Sequence, residues 1–212
     1  DYETAVNCIR RISFTIAHAF KTVFDEMHQK IKEIAKKDQR FKDKIDQMLL
    51  RKILVAGDDI TYICNASVAL MSFQIFAELI SDYGKYFLCE ASEEDEEKRV
   101  NAISMCSGVA FVNSHFPFHI AYEVAEGCCR SAKIKAKRSE NKDGQNIMNW
   151  VDFQFCKNIQ TQDLQATRNR EYVTSWGEVL TRRPYLISTK YDTKKPDEAH
   201  TLNELLENVS YF

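Results

Sequence analysis

"RKILVAGDDITYICN", residues Arg51 to Asn65, decides how this chain is read. The run KILVAG is too short and too rich in branched aliphatic residues for a helix, and ITYICN follows after only Asp58 and Asp59. Two strand-like runs joined through Gly57-Asp58 predict a tight hairpin, because glycine accepts the positive φ that such a turn requires. The turn then carries two adjacent carboxylates, which repel unless a positive charge lies between them or water solvates them. A bound metal ion answers the repulsion. An Asx-type turn residue beside a solvated neighbour answers it too, and this stretch alone leaves both readings open.

On the upstream side, Val6, Ile9, Ile12, Ile16, Phe20, Val23, Met27, Ile31 and Ile34 recur at three- and four-residue steps. That spacing predicts one long amphipathic helix, with Lys30, Lys32, Lys36 and Lys37 loading the end where the dipole favours cations. A second, short helix is expected over about Phe41 to Leu50. Downstream, Asn65 to Ile80 returns to helical spacing, with Asn65 placed as N-cap. Residues 90–97 form an acidic run, expected as a solvated loop or helix edge. ISMCSGVAFVN reads as a buried strand thinned in its middle by Gly108. SHFPFHIAYEVAEGCCRSAKIKAK reads as a helix with Pro117 in its first turn, and NIMNWVDFQF as a further strand. The remainder is weaker: a stretch over Tyr172–Ile187, then a helix from Asp197 to Asn208. The order helix, strand–turn–strand, helix, strand, helix, strand predicts an α+β fold. Its ferredoxin-like plan is a mostly antiparallel sheet with helices on one face and the acidic hairpin at its centre.

Bulk properties narrow the function classes. The chain has 212 residues, 44% hydrophobic and 28% charged, which is ordinary globular composition. A formal net charge of -2 argues against general nucleic-acid binding, so any polyanion site is local. No window approaches the ~18 consecutive apolar residues of a membrane span, and no signal segment precedes the first helix. The 7 cysteines form no C-x-x-C pair, so neither a zinc ribbon nor a redox motif is written here. Free thiols within apolar runs suggest a reducing, cytoplasmic compartment. His115 and His119 enclose FPF and lack a third ligand type, which favours packing or capping roles. No P-loop or nucleophile-elbow motif occurs.

Hairpins bearing GGDD or GGDEF sit at the centre of the palm domains of nucleotide polymerases and nucleotidyl cyclases. Here the motif reads Ala56-Gly57-Asp58-Asp59. The segment Cys106–Lys137 resembles the strand and helix that follow the hairpin in the large subunit of type III CRISPR effector complexes. Gly108, His115, Pro117, Ala121, Tyr122, Ala125, Glu126, Ala132 and Lys133 fit that pattern. WVDFQFC is similar to its closing strand, and RPYLI to a segment of standalone relatives. The resemblance covers roughly Lys52 to Phe155 and implies a palm over residues 1–160, with residues 161–212 as an extension packing on it.

By that resemblance Asp58 and Asp59 are catalytic ligands for Mg²⁺ or Mn²⁺. Gly57 lies where a nucleotide approaches, and Lys133 holds triphosphate oxygens. The implied reaction joins a 3′-hydroxyl to the α-phosphate of ATP or a similar triphosphate, giving a cyclic or short oligonucleotide for antiviral defence. A silent palm, serving as a structural or nucleotide-binding module, is the rival expectation. The implied partners are nucleoside triphosphates, with a homodimer or CRISPR-type proteins possible, no membrane, and direct nucleic-acid binding left open. For Lys133 the rival explanation is that cations collect at helix C-termini. The sequence departs from the family twice. Ala56 replaces the usual first glycine, and the strand expected before the long helix, with its metal-binding acid, does not precede DYETAVNCIRRI.

Overall fold

The computed structural model describes residues 2–38, 41, 49–87, 103–139, 148–157, 163–189 and 199–209. The chain divides into two compact units, Asp1–Asp95 and Glu96–Phe212.

In the first unit, α1 runs over Tyr2–Lys37, followed by strands β1 (Leu50–Ala56) and β2 (Asp59–Cys64) and helix α2 (Ala66–Phe87). The apolar stripe of α1 is buried over Ala19, Phe20, Val23, Phe24, Met27, Ile31 and Ala35. It meets α2 where the rings of Phe20 and Phe76 lie 5.7 Å apart. The start of α2 is fixed by Asn65, whose Oδ1 accepts from the Ser67 backbone N–H at 3.0 Å, as the sequence predicted. Strands β1 and β2 pair antiparallel from Leu50↔Cys64 to Ala56↔Asp59, with a register shift at Ile53. The helix expected over Phe41–Leu50 falls mainly on residues outside the described ones, but its last residue, Leu50, opens β1 instead. The acidic run over residues 90–97 also lies outside the described residues.

The second unit holds β3 (Cys106–Phe111), α3 (Phe118–Ser139), β4 (Asn149–Phe155), α4 (Leu164–Tyr172), β5 (Tyr185–Ile187) and α5 (Leu202–Val209). Its sheet has the order β3-β4-β5. Strands β3 and β4 run parallel, in the register Cys106↔Trp150 to Phe111↔Phe155, because the 22-residue helix α3 returns the chain to the starting edge. Strand β5 pairs antiparallel to β4. Gly108 explains how closely α3 lies on β3: a Cβ there would stand 1.9 Å from the Ala125 carbonyl oxygen and 2.3 Å from the Cys129 nitrogen. Trp150, Leu186, Ala132, Met148 and Ala199 form the core beneath the helix.

The molecule is therefore α+β, as expected, and among the described residues two of the three strand pairings are antiparallel. Among the described residues the hairpin strands pair only with each other, so two small sheets stand where one was predicted. No described helix is long and apolar enough to cross a membrane. The C-terminal helix starts later than Asp197 because Thr201 and Glu204 close a reciprocal capping box. The Thr201 Oγ1 accepts from the Glu204 N–H at 3.1 Å, and Glu204 Oε2 accepts from the Thr201 N–H at 3.0 Å.

Candidate functional site

The acidic turn closes on the pair Ala56↔Asp59, leaving Gly57 and Asp58 as its two central residues. Gly57 has φ +65, and no residue other than glycine has positive φ among those described. Positive φ at the first central position alone is the II′ pattern, whose twist suits two strands joined by two residues. Nothing lies within 4 Å of a Cβ built on Gly57, so backbone conformation selects glycine here and crowding does not.

The hairpin is seated through Tyr62. Its ring lies 5.6 Å from that of Phe24, and its hydroxyl is 2.6 Å from Ser72 Oγ. Burial raises its ionisation far above the ordinary phenol range. Because side chains alternate along a strand, Asp59, Thr61 and Ile63 occupy the opposite face. Ile63 is 49% exposed and Leu54 46%, and Asp58 and Asp59 are exposed at the tip. The fold thus anchors one face of the hairpin and leaves two carboxylates reachable at its end.

The donor set fits a hard divalent cation. Mg²⁺ is commonly held by one or two carboxylates while keeping waters or phosphate oxygens in its remaining positions. Among the described residues no group of three or more His, Cys, Asp or Glu side chains is arranged to hold a metal, so Asp58 and Asp59 are a two-carboxylate set.

The structure brings Gly57, Asp58 and Asp59 together. Lys133 is exposed on α3 and belongs to the second unit. In the same helix Tyr122 donates to Glu126 Oε1 at 3.0 Å, one turn apart. His115 and His119 are exposed rather than packed. His115 lies in the turn before α3, where its N–H donates to Asn113 Oδ1 at 3.1 Å.

A second acidic constellation escaped the sequence reading. Asp152 on β4 is fully buried and accepts two hydrogen bonds from Arg168 of α4, at 2.8 Å each. Its Oδ1 also accepts from the Phe153 N–H at 2.7 Å. Burial opposes the charge on Arg168, but the Asp152 carboxylate outweighs it and holds the guanidinium above its ordinary value. Arg183 lies over the rings of Tyr172 at 4.5 Å and Phe153 at 5.2 Å, and donates to the Phe153 carbonyl oxygen. Gln154 adds a bond to Glu171 at 3.0 Å. One acid inside WVDFQF, where only Gln154 is polar beside it, was the available signal, since a buried carboxylate demands a cation. Neither a family model nor a curated protein matches the chain.

Proposed function

We propose that the chain is a palm-type nucleotidyltransferase that makes cyclic or short oligonucleotides from ATP-like triphosphates. The observation that carries this reading is the acidic turn: adjacent exposed carboxylates on a two-residue hairpin that Tyr62 seats on Phe24 of α1 and Ser72 of α2. Asp58 and Asp59 hold a divalent cation, which when bound offsets the charge of a triphosphate and of an attacking oxygen. Gly57 keeps the approach to the turn bare of side chain. In the reaction a 3′-hydroxyl oxygen bonds to the α-phosphorus, the bond from that phosphorus to the bridging oxygen breaks, and pyrophosphate leaves with the electron pair. The hydroxyl proton passes to solvent.

Incubation with Mg²⁺ or Mn²⁺ and each labelled triphosphate is expected to release pyrophosphate, and Asp58→Ala or Asp59→Ala to abolish the release. No release with any triphosphate by the intact chain, under either metal, contradicts the proposal. A catalytically silent palm that binds nucleotide is favoured by Ala56, which places a methyl on the strand residue paired with Asp59. Triphosphate binding without turnover, restored to turnover by Ala56→Gly, separates that reading from the first.

A further inference from the structure

The long helix α1 carries one continuous stripe in strict four-three spacing: Tyr2, Val6, Ile9, Ser13, Ile16, Phe20, Val23, Met27. From Phe20 onward the stripe is core, with Val23 and Met27 at 0% exposure. From Tyr2 to Ser13 the same stripe is open apart from half-buried Val6, with Tyr2 85% and Ile9 67% exposed, and Ile12 beside it 53%. An apolar seam with a heptad period is complementary to another helix of the same period. The flanking charges say which one. Glu3 and Arg10 both follow a seam residue, seven positions apart, so they stand on one edge of the seam about 10 Å apart along the axis. At that distance they cannot pair within their own helix.

We infer that this half of α1 is a docking surface for a second copy of the chain, through antiparallel pairing of the two helices. With the twofold axis between Asn7 and Cys8, Val6 stands opposite the partner's Ile9 and Tyr2 opposite the partner's Ser13. Glu3 then flanks the seam beside the partner's Arg10, and the symmetry repeats each pair. Ala5 faces the partner's Ile12 on the other edge, which closes the seam with apolar contact. A parallel pairing instead sets each edge beside the partner's opposite edge, which puts Arg10 next to the partner's Ala5 and gives Glu3 no cation to meet. Two heptads bury little area, so the association is weak and sensitive to salt. The hairpin packs on α1 at Phe24, some sixteen residues from the axis. The two hairpins are therefore seated at points about 50 Å apart along the paired axis, at opposite ends. Pairing does not set them face to face, and it stands or falls independently of the proposed chemistry.

Sedimentation equilibrium of the full chain at tens to hundreds of micromolar tests this directly. The wild-type chain is expected to move from monomer toward twice its mass, and Ile9→Glu to remain monomeric. Arg10→Glu alone and Glu3→Arg alone are each expected to weaken association by about tenfold or more. An equimolar mixture of those two variants recovers it, since both charge pairs are restored across the unlike pair. All the changed residues are exposed, and unchanged thermal unfolding of each variant confirms that folding is intact. A monomer over the whole range overturns the inference. So does a dimer indifferent to the charge changes, or a mixture that gains nothing over its components.

Discussion

Asp59 and Asp152 are both aspartates on strands, and the protein treats them in opposite ways. Asp59 sits exposed beside Asp58 at the end of a hairpin that turns on the positive φ of Gly57. Asp152 is sealed in the middle of a sheet, with both carboxylate oxygens held by one guanidinium. A buried carboxylate is tolerated only when its partners are fixed, so its capacity for new ligands is spent. An exposed pair of carboxylates keeps that capacity. Asp58, Asp59 and Asp152 stand in similar apolar runs of the sequence; burial separates the one that holds the fold from the two that can hold a ligand.

The difference predicts unequal consequences of substitution. Arg168→Met leaves Asp152 charged without its cation, and is expected to cost about 3–5 kcal/mol in chemical denaturation. Changing both partners, Asp152→Leu with Arg168→Met, is expected to recover more than half of that loss, because the isolated charge is gone. If the double variant is as unstable as the single one, the pair does not act as a unit. Gly57→Ala forces a Cβ residue into the left-handed region and is expected to cost about 1–2 kcal/mol by the same measurement. Asp58→Ala and Asp59→Ala are expected to change stability by no more than about 0.5 kcal/mol, as exposed substitutions do. A larger loss from either would mean that the turn acids serve the fold.

Thiol burial draws the same line on a smaller scale. Burial pushes the Cys128 thiol up to about 12 and the Cys64 thiol up to about 11, well above the ordinary thiol range. The unfolded chain ionises these groups first, so their contribution to stability is intact below pH ~9 and is lost as pH rises toward the folded values. Unfolding midpoints measured in urea from pH 7 to pH 10.5 are expected to fall, and to fall less steeply in Cys128→Ala. At pH 8 iodoacetamide is expected to label exposed Cys8 before Cys128, read by mass spectrometry of the peptides.

Local features were legible because their causes are local. Gly57-Asp58 between two branched runs writes its own turn, Asn65 caps α2 with its own side chain, and the stripe of α1 repeats over many turns. The pairing of Asp152 with Arg168 was not legible. Arg168, Arg170, Arg182 and Arg183 are all near enough in sequence, and only the packing of α4 on the sheet selects among them. That helix itself offers little pattern: LQATRNREY has hardly any apolar stripe, and Asp163 makes no side-chain cap bond. Gly108 read as a thinning of its strand, whereas its role is to admit the backbone of α3, which no local pattern reveals. The parallel pairing of β3 with β4 is a long-range consequence of α3, and the separation of the hairpin from that sheet likewise depends on which edges meet. Thr201 and Glu204, by contrast, spelled a capping box that fixes the last helix better than its apolar spacing did.

Cation binding at the turn is most directly tested by paramagnetic broadening with Mn²⁺ on the isotope-labelled chain. The account predicts that amide signals of Gly57, Asp58 and Asp59 fade first, at substoichiometric Mn²⁺, and that Asp58→Asn with Asp59→Asn removes the effect there. Broadening that begins elsewhere, or that survives the loss of both carboxylates, would contradict it.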